Sequence, residues 1–316
     1  MDTQHLPVLV EETLALLDPG RAQRGSNLFV DATLGLGGHA EAILQASESV
    51  QLVGIDRDPQ ALELAARRLA PFGERVRFVN ANFHHLEPAL AGIGISGGIA
   101  GILADLGVSS MQLDTPERGF SFRFDAPLDM RMGLAERTAA DLVNQGSEGE
   151  LEKIIRDYGE ERQARRIARS IVDARREQPI ETTGQLKRLI ERVKGNRPPW
   201  QEGGSRVDPA TLVFQALRIA VNDELAGLEG FIQQAIDLLE DDGRMVIISY
   251  HSLEDRIVKN ALRDRARGEI DQVTGRPHAE TQLIEALTRK PIRPSEEEVA
   301  RNPRSRSARL RAARRI

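Results

Sequence analysis

The length and composition of the chain limit what kind of protein it can be. Its 316 residues are enough for one large domain or two ordinary ones. Because 40% of the residues are hydrophobic and 29% are charged, we expect a soluble globular protein with a sizeable core. The chain contains no cysteine, which excludes disulfides, iron–sulfur clusters, Cys-ligated zinc and a cysteine nucleophile.

The hydropathy of the chain does not predict a membrane protein. The N-terminus, Met1-Asp2-Thr3, has no basic region before an apolar stretch, so we do not expect a secretory signal. The longest uncharged stretch, residues 89–104, is shorter than the roughly 18–20 apolar residues that a membrane span needs. We therefore expect a cytoplasmic protein with no membrane partner.

Basic residues are concentrated in two segments, although the net charge is −5. Residues 151–200 contain 13 Lys and Arg against 8 Asp and Glu, and residues 289–316 contain 10 against 3. Such clusters are typical of proteins that bind the phosphate backbone of a nucleic acid. For residues 151–200, a solvated helix face is an equally good explanation.

The first third of the chain alternates strand and helix patterns. Strands are predicted at 27–33, 51–56, 76–80 and 99–106, and helices at 37–46 and 59–69. Alternation at this spacing is typical of parallel βαβ units, so we expect a doubly wound α/β sheet.

The pattern changes after the fourth strand. Residues 139–193 show only helical periodicity, residues 195–204 have the prolines and glycines of a linker, residues 212–239 are helical and residues 244–250 predict a strand. We interpret this as a discontinuous α/β domain, residues 1–112 and 207–316. A helical insertion for substrate recognition, residues 113–206, interrupts it.

A glycine-rich loop follows the first strand. Gly35, Gly37 and Gly38 let the backbone turn sharply and approach a ligand closely. The next strand ends in Asp56, 19 residues after Gly37, where a carboxylate can accept hydrogen bonds from both ribose hydroxyls. Together these residues predict a nucleoside-binding site, suited to NAD or to S-adenosylmethionine.

The residue type at the start of the next helix favours S-adenosylmethionine. Glu41 lies in the first turn, where a dinucleotide would place its pyrophosphate. A carboxylate there disfavours a doubly negative ligand, whereas the methionine end of S-adenosylmethionine carries an ammonium group. An NAD-dependent oxidoreductase is the second hypothesis. A non-catalytic RNA-binding factor that keeps the fold is the third.

Two other strand ends carry polar side chains. Asp105 ends the fourth strand, where reacting groups collect in open α/β sheets, although it could also cap the turn. The late strand is followed by His251, Ser252 and Asp255. We interpret Ser252 with Asp255 as a helix capping box, and His251 as a structural hydrogen-bonding residue.

Several long blocks of the sequence resemble one known family. They include Asp31-Ala32-Thr33-Leu34-Gly35-Leu36-Gly37-Gly38-His39, Ile55-Asp56-Arg57-Asp58-Pro59, Asp105-Leu106-Gly107-Val108-Ser109-Ser110, Glu117-Arg118-Gly119-Phe120-Ser121-Phe122 and Asn302-Pro303-Arg304-Ser305-Arg306-Ser307-Ala308. In these blocks the sequence is similar to the bacterial 16S rRNA cytosine-N4 methyltransferase family, and the resemblance covers nearly the whole chain.

The resemblance implies a Rossmann-like class I methyltransferase fold with a helical insertion. It also implies S-adenosylmethionine as the methyl donor, and a cytosine in the decoding region of 16S rRNA in the small ribosomal subunit as the acceptor. A homodimer is one assembly compatible with it. The family's cofactor contacts correspond to Gly37, Gly38, His39, Asp56, Phe83, Asp105 and Gln112. One block departs, because Asp208, Leu212 and Val213 stand where the family has His, Arg and Thr.

The absence of cysteine narrows the chemistry. Methylation of cytosine C5 requires a thiolate to add to C6, and radical methylation requires a Cys-bound cluster. Direct transfer to the exocyclic N4 remains, with Asp105 as the candidate catalytic residue and the carbonyls of residues 106–109 as alternative acceptors. We expect no metal, because the sulfonium is already activated. Phe120, Phe122 and Phe124 are candidates for stacking on an unstacked base.

Overall fold

The computed structural model describes residues 7–20, 25–108, 115–133, 135–195, 208–269 and 278–316. Within them, seven strands form one sheet with the order β3-β2-β1-β4-β5-β7-β6. The strands are β1 (Leu28–Asp31), β2 (Gln51–Asp56), β3 (Val76–Asn80), β4 (Ile99–Asp105), β5 (Leu239–Ser249), β6 (Ile284–Ala286) and β7 (Arg309–Arg315). The pairings among β1 to β5 are parallel, whereas β7 is antiparallel to both β5 and β6.

This topology confirms the expected fold class, a Rossmann-like α/β sheet. The chain places β2 and β3 on one side of β1, then returns to place β4 and β5 on the other. The strand order therefore reverses between β1 and β4, and in open α/β sheets ligands bind outside the carboxyl ends of the strands at such a point.

The described part of the chain contains twelve α-helices. They are α1 (Val10–Leu17), α2 (Gly38–Ala46), α3 (Pro59–Leu69), α4 (Leu86–Ala91), α5 (Ala139–Gln145), α6 (Glu148–Gly159), α7 (Ala164–Glu177), α8 (Thr183–Lys194), α9 (Thr211–Asn222), α10 (Leu228–Leu238), α11 (Ser252–Arg267) and α12 (Glu296–Arg301). None of these helices has the length and apolarity that a membrane crossing requires.

Residues on the two faces of the sheet belong to different hydrophobic layers. Val30 and Val53 pack in one layer, which also contains residues of α4, α10 and α11. Their neighbours Phe29 and Leu52 pack in the other layer, with residues of α1, α2 and α3. Because both faces are covered, β1, β2 and β4 are formed by nearly continuous hydrophobic runs that end in a polar residue.

The chain divides into two compact units, Met1–Gly107 with Leu225–Ile316, and Val108–Glu224. The first contains the sheet, and the second contains helices α5 to α9. The sequence placed the second boundary at residue 207. The structure places it later, because α9 buries Val213, Phe214 and Leu217 in the core of the second unit.

Most predicted elements correspond to observed ones. The predictions at 51–56, 59–69 and 76–80 match β2, α3 and β3 at both ends. At α3 the signal is local, because Pro59 is the first helical residue and the Asp58 side chain accepts a hydrogen bond from the Gln60 N–H at 3.1 Å. The single helix predicted at 212–239 is instead two helices, α9 and α10, followed by a strand that begins at Leu239.

Candidate functional site

Three aspartates end three neighbouring parallel strands. Asp31 is the last residue of β1, Asp56 of β2 and Asp105 of β4. Because β1 lies between β2 and β4, the three strand ends meet at one edge of the sheet, where the strand order reverses. This edge is where the fold is expected to bind a ligand.

The glycine-rich loop after β1 adopts a backbone that favours glycine. Gly35 has a φ of 51° and Gly37 a φ of 75°, both in the left-handed region. A Cβ on Gly37 would also lie 3.2 Å from Cδ1 of Leu69, and one on Gly38 would lie 3.1 Å from Cγ of Pro7. Because these two glycines have no side chains, the start of α2 can pack closely against Leu69 and Pro7.

Asp56 joins this loop to the end of β2. Its Oδ2 accepts a hydrogen bond from the Gly35 N–H at 2.8 Å, and its Oδ1 accepts one from the Asp58 N–H at 2.8 Å. Burial raises the pKa of the Asp56 carboxyl, while these two hydrogen bonds act in the opposite direction. A carboxylate offers about four lone-pair sites, so Asp56 keeps capacity for two further donors.

His39 and Asp105 face each other at the same edge. His39 is the second residue of α2 and is 6% exposed, and its Nε2 lies 3.7 Å from Oδ2 of Asp105. That distance is too long for a hydrogen bond. The Asp105 backbone is fixed by its N–H, which donates to Thr33 Oγ1 at 2.6 Å.

Two buried atoms of this pair lack hydrogen-bond partners. They are Nε2 of His39 and Oδ1 of Asp105, and neither has a partner among the described residues. A buried polar atom without a partner costs on the order of 1–3 kcal/mol. Such atoms are typical of a site whose polar groups are matched by a ligand.

Asp31 is a site residue that the sequence reasoning did not assign. It is 1% exposed, and its Oδ1 accepts a hydrogen bond from the Thr33 N–H at 3.2 Å. Burial raises the pKa of its carboxyl to about 7, opposed by His39 and supported by the charges of Asp105 and Asp56. Its position in the sequence could have indicated this role, because Asp31 is the last residue of a buried strand and the glycine-rich loop follows it directly.

Tyr250 is a second residue that sequence reasoning did not assign to the site. Its ring lies against Gly107, where an added Cβ would be 2.7 Å from Cε2 of the tyrosine. Burial, with the nearby charge of Asp105, raises the Tyr250 pKa well above its usual value. The phenol therefore stays protonated and can donate a hydrogen bond.

Phe83 lies in a short turn that follows β3. Its ring makes an edge-to-face contact with Phe231, with ring centroids 5.1 Å apart. The turn is joined to the end of β2, because the Ala81 N–H donates to the Asp56 carbonyl at 3.1 Å. Phe83 is therefore at the same edge as Asp56. The remaining predicted contact, Gln112, lies outside the described residues.

Two expectations about nearby residues need correction. Glu41 is bound to Arg68, whose Nε donates to the glutamate Oε2 at 2.8 Å. Because Arg68 already neutralises the charge of Glu41, that charge gives little support for an ammonium ligand. The capping box at the start of α11 is formed by His251 and Glu254, not by Ser252 and Asp255. Asp255 is instead bound to Arg309 and Arg311 of β7.

Comparison with known proteins identifies the family. A family model described as "MraW methylase family" matches residues 2–316. The chain belongs to this family. A protein of Geotalea daltonii named "Ribosomal RNA small subunit methyltransferase H" is 52% identical over 325 residues, which cover 100% of this chain and 99% of the relative. A protein of Geobacter sulfurreducens with the same name is 51% identical over 327 residues, covering 100% of both chains.

The departure from the family pattern at 208–213 is accommodated within the second unit. Asp208 Oδ2 lies 2.9 Å from Lys187 Nζ, and its Oδ1 accepts the Ala210 N–H at 2.8 Å. Val213 is fully buried. These residues therefore support the packing of α9. Arg218 likewise forms an ion pair within the unit, with its Nη2 2.8 Å from Oε2 of Glu224.

The basic C-terminal segment is largely structural in its last strand. Arg309 and Arg311 are bound to Asp255, and Arg314 to Asp242 and Glu285. Arg315 donates to the carbonyls of α10. The four arginines of β7 therefore already have partners within the protein, and phosphate binding by the whole segment stays a prediction.

Proposed function

We propose that this protein transfers a methyl group from S-adenosylmethionine to the exocyclic N4 of a cytosine in 16S rRNA. The observation that carries the proposal is the buried pair of atoms, His39 Nε2 and Asp105 Oδ1, without partners among the described residues. They lie at the ligand-binding edge of the sheet in a member of a methylase family. Relatives about half identical to this chain are named for the RNA of the small ribosomal subunit.

The residues at this edge fit the two ends of S-adenosylmethionine. Asp56 keeps acceptor sites for two ribose hydroxyls, and Phe83 offers an apolar ring to the adenine. The N-terminus of α2, which begins at Gly38 after the N-cap Gly37, provides the positive end of the helix dipole, which suits the methionine carboxylate. The buried carboxyl of Asp31 and the partly buried carboxylate of Asp105 suit an ammonium or sulfonium group nearby.

When bound, S-adenosylmethionine supplies a methyl group on a positively charged sulfur, and no metal is needed to activate it. The N4 amine of cytosine is a weak nucleophile, because its lone pair is delocalised into the ring. Asp105 would accept a hydrogen bond from this amine and so increase the electron density on nitrogen. The bond from its own N–H to Thr33 fixes its backbone, and its side chain is hydrogen-bonded to Tyr250. The carbonyls of residues 106–108 remain alternative acceptors, as does Ser109, which lies outside the described residues.

The second unit carries a surface suited to RNA phosphates. Five exposed arginines lie between residues 162 and 176, namely Arg162, Arg165, Arg166, Arg169 and Arg176. The single acid among them, Asp173, pairs with Arg169 at 3.9 Å and with Arg176 at 3.2 Å. Arg165 and Arg166 have no ion pair among the described residues. They follow Ala164 at the start of α7, whose opposite face buries Ile167 and Ile171.

This arrangement supports a substrate-recognition role for the second unit. An arginine without an acidic partner keeps its charge available, and neutralising phosphates releases counterions, which favours binding. The apolar face of α7 packs in the core of the second unit, so the helix that carries these arginines is held in place. We therefore assign residues 108–224 to RNA recognition and the sheet-containing unit to methyl transfer.

A pair of measurements tests the proposal. Isothermal titration calorimetry should detect binding of S-adenosylhomocysteine and not of NAD, which separates a methyltransferase from an oxidoreductase. Transfer of a labelled methyl group should then occur to small ribosomal subunits or to free 16S rRNA, and mass spectrometry should place it on N4 of a cytosine. Binding of the cofactor without transfer to either substrate would favour a non-catalytic RNA-binding factor.

The remaining parts of the proposal concern where the protein works. A substrate in the small ribosomal subunit places the enzyme in the cytoplasm, and fractionation of cells that express a tagged chain tests this. A homodimer stays a prediction from the family resemblance, and sedimentation equilibrium of the full chain tests it.

A further inference from the structure

Phe124 is an aromatic residue that the fold leaves exposed. Its side chain is 64% exposed, whereas the next most exposed aromatic ring among the described residues, Phe78, is 38% exposed. The two other phenylalanines of the same loop are used internally. Phe120 is 8% exposed, and Phe122 packs edge to face on Phe214 with centroids 4.8 Å apart. Of the three rings considered for stacking on a base, only Phe124 is accessible.

The backbone that carries this ring is held rigidly. The Phe124 carbonyl accepts a hydrogen bond from Thr183 Oγ1 at 2.9 Å, and the next residue, Asp125, accepts the Gly184 N–H at 2.9 Å. Further along, the Thr183 N–H donates to the Ala126 carbonyl at 2.8 Å. The segment is thereby bonded to the first turn of α8. Because these hydrogen bonds order the loop that exposes Phe124, little conformational entropy of the backbone is lost when a ligand covers the ring.

Charged residues flank Phe124. Arg123 is exposed and precedes it in the chain, and Arg188 of α8 is 62% exposed and is paired with Asp125, its Nη1 lying 3.8 Å from the carboxylate Oδ2. An apolar protein partner would need a contiguous apolar surface, and these neighbours are charged. A nucleobase with its phosphate offers a π-face for the ring and a negative charge for Arg123, which has no ion pair among the described residues. That combination is typical of single-stranded nucleic acid binding.

We propose that Phe124 is a stacking platform for an unpaired base of the RNA substrate, with the neighbouring Arg123 binding the adjoining phosphate. The inference rests on the proposed function, because it takes RNA as the substrate. It adds a specific contact in the second unit. A flat aromatic ring accepts any base, so this contact contributes affinity and placement more than sequence specificity.

The test measures binding of a single-stranded RNA carrying 2-aminopurine to the full-length chain and to three variants, Phe124→Leu, Phe124→Ala and Phe124→Trp. Stacking is worth about 1–3 kcal/mol per base, which corresponds to about a 5- to 150-fold change in Kd. We expect Phe124→Leu and Phe124→Ala to weaken binding within that range. Phe124→Trp should bind at least as tightly as the unmodified chain, and 2-aminopurine quenching should depend on the aromatic ring.

Phe78→Leu is the matched control, because it removes the other exposed aromatic ring from β3 of the first unit. It should leave the Kd for RNA unchanged, and the Phe124 variants should leave the Kd for S-adenosylhomocysteine unchanged. An unaltered RNA affinity in Phe124→Leu overturns the stacking proposal, as does equal loss of affinity in the Leu and Trp variants. If the unmodified chain binds RNA through Phe124 but transfers no methyl group, the proposed function fails and the stacking contact stands.

Discussion

Nε2 of His39 lies 3.7 Å from Oδ2 of Asp105, so the two side chains face each other without sharing a hydrogen bond. Helix α2 supplies the histidine and strand β4 supplies the carboxylate. Each residue is anchored by its own secondary structure, and each keeps a buried polar atom without a partner among the described residues. A polar group beside the pair could bond to both without moving either backbone, and the first prediction rests on this arrangement.

Replacement of Asp105 by Asn should lower turnover at least a hundredfold, on the order of the usual contribution of a proton-handling group. The amide has nearly the same shape but is a poorer acceptor for the N–H of the substrate amine. Cofactor affinity should fall only modestly. Single-turnover transfer of a labelled methyl group, with calorimetry of S-adenosylhomocysteine binding, measures the two effects separately. Near-normal turnover of the Asn variant would remove Asp105 from the chemistry.

Replacement of Asp56 by Ala should weaken S-adenosylmethionine binding more than tenfold. A hydrogen bond to a charged group contributes about 1.5–3 kcal/mol, and each 1.4 kcal/mol is about tenfold in affinity. The variant also loses the bond from the Gly35 N–H, so its folding must be checked by thermal unfolding. Asp58→Ala, two residues further along the chain, is the control. A dissociation constant unchanged in Asp56→Ala contradicts a role in binding the ribose.

Asp31 should make the stability of the protein depend on pH. Its folded pKa of about 7 lies above the ordinary aspartate value of 3.8, so between these values the folded state binds more protons than the unfolded state. Stability contributed by protonated Asp31 is therefore present below about pH 4 and is lost as the pH rises towards 7. At one pKa unit per 1.36 kcal/mol, the loss is on the order of 4 kcal/mol.

Chemical denaturation of Asp31→Asn between about pH 4 and pH 7, roughly the range in which the folded state binds more protons than the unfolded state at this carboxyl, tests that prediction. The amide keeps the shape of the protonated carboxyl and cannot ionise. We expect the variant to gain stability relative to the unmodified chain as the pH rises. Parallel stability curves for the two proteins would show that Asp31 does not titrate in this range.

The arginines at the start of α7 should contribute to the salt dependence of RNA binding. Each phosphate contact changes the slope of log K against log salt by about 0.7–0.9, so Arg165→Gln with Arg166→Gln should flatten it by about 1.4–1.8. Filter binding of 16S rRNA over a range of salt concentrations measures the slope. The control removes two exposed arginines of the first unit, Arg67 and Arg263. Equal slopes in both double variants would indicate a general effect of net charge.

Removal of the residues after Asn302 should unfold the first unit. The last strand pairs with β5 from Arg244↔Arg314 to Ser249↔Arg309, and also with β6. Leu310 and Ala312 are fully buried, so truncation exposes the core as well as the edge of β5. Circular dichroism and proteolysis of the truncated chain should show this loss. A folded truncated protein would mean that β5 is stable as an edge strand.

The sequence predicted the parallel half of the sheet because its signals are local. Each strand is indicated by its own apolar run. The cofactor-binding loop is indicated by the glycines after β1, and the ribose-binding position by the acid at the end of β2. The cofactor edge followed, because the carboxyl ends of parallel strands must lie together. The structure shows that Tyr250 also lies at this edge. Tyr250 follows β5, which is distant in sequence from β4 but pairs with it in the sheet.

The role of the C-terminal arginines could not be predicted in the same way. Asp255 and Arg311 are 56 positions apart, and nothing near either residue indicates the other. In the sequence these arginines resemble an unpaired basic segment. Whether a charge is available to a ligand depends on the tertiary structure, and here that structure uses the arginines of β7 and leaves those of α7 exposed.

Strand β7 lies between β5 and β6 in the sheet but follows both of them in the sequence. During synthesis the second unit, which is continuous from Val108 to Glu224, leaves the ribosome before β7 has been made. Domains generally fold as units during synthesis, so this unit can fold first, whereas the sheet is completed only after β7 has emerged. The unit proposed to recognise RNA can therefore form before the candidate site is held by a complete sheet.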